Sequence, residues 1–158
     1  MLASLRVPTQ KGFTLLELVI TAAVLAILAT ATIPMVRNSI KRQQEIELSR
    51  SLREMRQAID QYRKLAEQQK IKTPPAENNL CPSSLDELIE GVPMTGTTTG
   101  KIKLLRRIPT DPMTKKAEWG FRNMTDDPKS RSWGGSHIYD VYSLASGIGM
   151  NGIPYSEW

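Results

Sequence analysis

Few side chains in this sequence are placed to do chemistry, and the most unusually placed is Glu17. It is the only ionisable side chain between Phe13 and Val36. A carboxylate at the centre of a membrane-spanning helix costs roughly 2.5–3.5 kcal/mol, so it needs a partner or a role. Elsewhere the inventory is thin. His137 is the only histidine and Cys81 the only cysteine. A metal cluster built from His and Cys is excluded, a His-dependent nucleophile has one candidate base, and no internal disulfide can form. Nothing has the spacing of a phosphate loop or a dinucleotide fingerprint. The formal charge of +5 is too weak to argue for nucleic acid, and no nucleic-acid partner is expected. Cys81 and His137 read as structural residues, and Trp119, Trp133 and Trp158 as core rather than as a binding patch.

The element that must hold Glu17 is the apolar run at residues 13–36. Its 24 residues would extend about 36 Å as a helix, enough to cross a bilayer. The run is too long for a secretory signal, and no small-residue cleavage site follows it. Before it lies a short leader, residues 1–12, with Arg6 and Lys11; beyond it lie Arg37, Lys41 and Arg42. Basic residues on both sides leave orientation undetermined by local charge. Pro34 removes a backbone bond near the end of the run, which predicts a kink or a loosened turn there.

Past the run, Leu48, Leu52, Met55, Ile59, Tyr62 and Ala66 repeat at helical spacing. They form one apolar stripe for packing on a head, with charged neighbours (Arg50 and Glu54, Arg56 and Asp60, Asp60 and Lys64) on the other faces. The helix must end by Thr73-Pro74-Pro75. Ser84-Leu85-Asp86-Glu87 reads as a capping box opening a short helix that stops at Gly91. Residues 92–100 read as a flexible loop. Strands are predicted at 117–124 and, by strong alternation, at 138–144. Tyr155 and Trp158 would fasten the glycine-rich tail by packing.

Gly12-Phe13-Thr14-Leu15-Leu16-Glu17 resembles the class III signal of type IV pilins and of the pseudopilins of type II secretion. The resemblance implies cleavage between Gly12 and Phe13 by a membrane prepilin peptidase, which also methylates the new Phe13 amine. It implies that Phe13 and Glu17 guide subunit docking, the amine of one chain meeting the acid of a neighbour, and it places a family proline at Pro34. With Arg6 and Lys11 removed from the 21 basic residues, against 16 acidic, the mature charge is +3.

In the second half, Arg107-Ile108-Pro109-Thr110-Asp111-Pro112, Trp119-Gly120 and Tyr139-Asp140-Val141-Tyr142-Ser143-Leu144 look like the G-type major pseudopilins of type II secretion. Many members of that family bind calcium in the loop after the last of these motifs. Here that loop is Ala145-Ser146-Gly147-Ile148-Gly149-Met150-Asn151-Gly152, which has no carboxylate, so neither a calcium site nor any other cofactor is expected.

The resulting expectation is an α+β fold of the pilin-like lollipop kind: leader 1–12, transmembrane helix 13–36, amphipathic helix 37–72 and a globular head 73–158 with a small antiparallel sheet. The implied function is structural and non-enzymatic, a subunit that leaves the inner membrane to join a periplasmic filament. The implied partners are copies of itself, the prepilin peptidase and methyltransferase, the inner-membrane assembly platform, minor pseudopilins, and lipid before assembly. The rivals are a type IV pilin of a surface fibre and a membrane-anchored binding domain that never polymerises.

Overall fold

The computed structural model describes residues 12–72, 74–96 and 99–158, with the side chains of 31–35 and 76 excepted. The leader 1–11, Thr73 and the expected kink at Pro34 therefore lie outside the described residues. The element order is a long helix α1 (Leu15–Glu67), a short helix α2 (Leu85–Glu90), then strands β1 (Val92–Pro93), β2 (Lys101–Ile102), β3 (Trp119–Arg122) and β4 (Asp140–Ser143). Single 3-10 turns lie at Ala76–Asn78 and Tyr155–Glu157. Among the described residues this is an α+β fold with two small antiparallel sheets. The chain forms two compact units, Met1–Ile40 and Lys41–Trp158.

In the second unit the predicted stripe of α1 is the floor of the core. Leu48, Leu52, Met55, Ile59, Tyr62 and Ala66 are all buried. They meet Leu88 of α2, Trp119 of β3 and Val141 of β4. The expected surface pairing of Arg56 with Asp60 gives way to a longer reach. Arg56 Nε lies 2.6 Å from Asp140 Oδ1, and its Nη2 donates to the carbonyls of Val141 and Trp158. One helical arginine thus ties α1 to β4 and to the tail.

α1 stops at Glu67, short of the residue 72 expected from sequence. The Lys70 N–H bonds the Leu65 carbonyl at 2.9 Å and the Gln69 N–H bonds the Ala66 carbonyl at 3.0 Å, with Gln69 at φ 53°. This is the double bond of a Schellman cap, and it turns the chain before the prolines can. Glutamine in the left-handed region costs roughly 1 kcal/mol against glycine. Gln69→Gly should therefore stabilise the fold by about 0.5–1 kcal/mol in denaturant titration.

The turn delivers Ile71 to a bridge with Met94, beside the β1–β2 hairpin. The hairpin corrects the reading of 92–100 as a loop: Val92 and Pro93 pair with Ile102 and Lys101. Two-residue strands with a proline inside carry no alternation for a sequence to display. The capping box forms by half. Ser84 Oγ accepts from the Glu87 N–H, but Glu87 turns its carboxylate to the Ser83 N–H and hydroxyl and to the Tyr62 hydroxyl. Burial and that carboxylate raise the Tyr62 pKa.

β3 and β4 are shorter than predicted but lie inside the predicted spans, with Trp119 opposite Ser143 and Arg122 opposite Asp140. Gly120 faces Tyr142, whose ring lies flat across it; a Cβ at 120 would fall inside the ring. The Arg122 guanidinium stacks over the same ring, 4.1 Å from its centre. Gly120→Ala should cost about 2–3 kcal/mol by overpacking, seen as a lower unfolding midpoint at unchanged slope.

The Pro109 and Asp111 stretch docks on both strands. Trp119 Nε1 donates to the Pro109 carbonyl at 2.9 Å. Asp111 is fully buried, and its carboxylate accepts from Ser143 Oγ at 2.6 Å and from the Met113 N–H at 2.7 Å. Of the tryptophans, Trp119 is core, whereas Trp133 is 43% exposed and packs edge-on against Phe121. Trp158 meets Tyr155 edge-on at 5.4 Å, and Tyr155 is buried, so the tail is fastened by packing as expected.

His137 is buried. Its Nε2 accepts from the Met124 N–H, which leaves the proton on Nδ1 for Ser136 Oγ. In the same loop Asp126 accepts from the N–H groups of Asn123 and Gly134, which hold its carboxyl below the usual range. Cys81 is buried, and that burial pushes its thiol pKa up.

Candidate functional site

The candidate site is the start of α1. Thr14 stands immediately before the helix, and its Oγ1 accepts from the Glu17 N–H at 3.2 Å while its carbonyl accepts from the Leu18 N–H at 3.1 Å. Thr14 is therefore the N-cap, and Glu17 occupies the third helical position, where the helix dipole favours a negative charge. Sequence reasoning treated Thr14 as one member of a signal and missed this role. The pattern Thr-x-x-Glu before an apolar run was the available clue.

Glu17 is exposed, and among the described residues no lysine or arginine lies within ion-pair distance of it. The helix therefore presents a carboxylate one turn from its start with room for a cation from outside.

Gly12 precedes this cap. A Cβ there would meet nothing within 4 Å, and its backbone is not in the left-handed region. Nothing in the folded chain demands glycine at this position. Phe13 follows, 74% exposed. The structure thus brings Gly12, Phe13 and Glu17 together at one helix start.

Beyond the cap the first unit is apolar on its surface. Leu15, Leu16, Leu18, Val19 and Ile20 are each at least half exposed, as are Val24, Leu25 and Ile27. At 100° per residue these positions point to all sides of the helix. An apolar helix exposed all round lacks its partner surface. Thr21 and Thr30 turn their hydroxyls back to carbonyls of the preceding turn, of Leu18 and Ile27, so they add little polarity. Among the described residues, no helix is long and apolar enough to cross a membrane. The span expected at 13–36 includes 31–35, whose side chains are not among those described.

Among the described residues no group of three or more His, Cys, Asp or Glu is placed to hold a metal ion.

No curated protein and no solved structure matches the chain significantly. Residues 8–33 match the family model of the prokaryotic N-terminal methylation motif. The match takes in the candidate cleavage bond, Phe13 and Glu17, and it supports a type IV pilin-like protein with a prepilin leader and an N-methylation motif.

Proposed function

We propose that this chain is a structural subunit of a pseudopilus-type filament serving type II protein secretion, of the G-type major class, with no catalytic role of its own. The observation that carries the reading is the exposed apolar surface of the first turns of α1, broken only by Glu17. Such a surface requires lipid or other apolar helices. A precursor anchored in the inner membrane satisfies the first need, and a periplasmic filament built from copies of this helix satisfies the second.

In this reading the prepilin peptidase cuts between Gly12 and Phe13 and methylates the Phe13 amine. The cationic amine of one subunit then finds Glu17 of another in an apolar interior, where an unpaired acid is disfavoured. Pro34 loosens the helix as it leaves the bilayer. The preference for a secretion filament over a surface fibre rests on the second-half motifs. Asp111 and Ser143, from two of the three stretches that resemble the G-type subunits, bond each other in the core.

Intact-mass analysis of the protein from its native membrane, with N-terminal fragmentation, tests the reading. The expected chain begins at N-methylated Phe13. A chain retaining residues 1–12 would leave the anchored binding domain as the better description. Gly12→Asp should abolish processing. Because position 12 has free space and an ordinary backbone, that loss would reflect the peptidase and not misfolding. Mature protein from this variant would show the cut to lie elsewhere.

A further inference from the structure

The loop 145–152 is where the resemblance to the major pseudopilins leads one to look for calcium, and its donors do not fit that ion. Calcium takes six to eight oxygens, several of them from carboxylates. This octapeptide has no carboxylate, and four of its other oxygens are engaged. The Gly147 carbonyl accepts from the Tyr155 N–H at 3.2 Å, and the Gly149 carbonyl from the Gly152 N–H at 3.0 Å. Asn151 Oδ1 accepts from the Ile153 N–H at 3.0 Å. The Ile148 carbonyl accepts from Lys41 Nζ at 2.9 Å. A cation already sits on the loop, and it is an ammonium supplied by α1.

One turn further along α1 stands Glu45, only 7% exposed. Its Oε1 accepts from the Met150 N–H and from the Tyr155 hydroxyl, each at 2.9 Å. Lys41 Nζ lies 4.0 Å from the same oxygen. The lysine thus takes a loop carbonyl, the glutamate takes a loop N–H, and the two are paired one turn apart.

We propose that Lys41 and Glu45 form an ionic clasp that holds the 145–152 loop on α1 in place of a divalent cation, so the loop is ordered without metal. A dication entering the loop would have to displace the ammonium from Ile148 and then compete with Lys41 for Glu45. Charge-assisted bonds of this kind are among the stronger ones available to a loop. The inference does not rest on filament assembly and holds equally for a subunit of any fibre.

The test is amide hydrogen exchange together with thermal unfolding of the full chain in detergent micelles, with a calcium chelator and then with about 10 mM calcium, well above the dissociation constants of weak extracellular sites. Loop exchange and melting temperature should be the same in both. Lys41→Met and Glu45→Gln should each speed exchange at the Met150 amide about tenfold, the effect of losing one bond to or from a charged group. The Val141 amide in β4 should keep its wild-type rate. Calcium-dependent protection of the loop, or a calcium-dependent rise in melting temperature, would overturn the proposal. So would wild-type loop exchange in both variants. If Glu45→Gln loosens the whole second unit, Lys41→Met decides alone: its side chain is 41% exposed, so the substitution can act on the loop without opening the core.

Discussion

Asp111→Ala should destabilise the second unit by about 3 kcal/mol, the largest loss expected from any single polar side chain in it. The reason is the number of donors the carboxylate satisfies where water cannot. Asp111 and Ser143 are both fully buried. One carboxylate oxygen takes the Ser143 hydroxyl, and the other takes the Met113 N–H with a longer contact from Thr114 at 3.4 Å. Truncation leaves the buried Ser143 hydroxyl and the half-buried Met113 N–H without this acceptor, at roughly 1–3 kcal/mol each. Asp111→Asn keeps the shape but turns an amide NH2 toward a donor, and should lose about half as much. Ser143→Ala removes one hydroxyl and should cost about 1 kcal/mol. Denaturant midpoints at constant slope measure all three. A loss below about 1 kcal/mol for Asp111→Ala would mean that water reaches these groups and that the two motifs are not joined through them.

The second large effect concerns assembly. Glu17→Leu should be inserted and processed normally, since it makes the helix more apolar, yet filament yield should fall by about two orders of magnitude. An unpaired charge in an apolar interior is worth roughly 2.5–3.5 kcal/mol, which converts to about a hundredfold in a docking equilibrium. The leucine variant forfeits that discrimination and leaves the incoming amine without a partner. Thr14→Ala serves as the control. It removes the cap, costing about 1 kcal/mol of helix stability, but keeps the acid. Mature protein accumulating in the membrane with few filaments supports the docking role. Wild-type yield from Glu17→Leu would remove it.

The parts of the fold legible from sequence are those set by local periodicity. The apolar stripe of α1 is buried at every predicted position because a 3.6-residue repeat admits one buried face. β4 was visible through its alternation and β3 through Trp119 and Phe121. The charged residues that pin the second unit together were not visible in this way. Asp111, Arg122 and Glu45 are of types that belong on surfaces, and each is buried by virtue of distant partners. Glu45 meets Met150, 105 residues away; Asp111 meets Ser143, 32 residues away; Arg122 donates to the Ser156 carbonyl, 34 residues away. No window along the chain contains both members of such a pair. The early end of α1 was hidden for another reason, since Gln69 gives no sign of the positive φ it adopts. At the candidate site, the type and spacing of Gly12, Phe13 and Glu17 were readable, and the Thr14 cap, although its Thr-x-x-Glu spacing stands in the sequence, was established by its geometry.

The burial of Cys81 makes the folded chain nearly blank to thiol reagents. It is the only cysteine, it is 0% exposed, and its thiolate form is suppressed. A single engineered cysteine would therefore report alone, with no need to delete the native one. Placed by Leu16→Cys or Ile20→Cys along the exposed face of α1, it would give a covalent record of which turns of neighbouring copies touch.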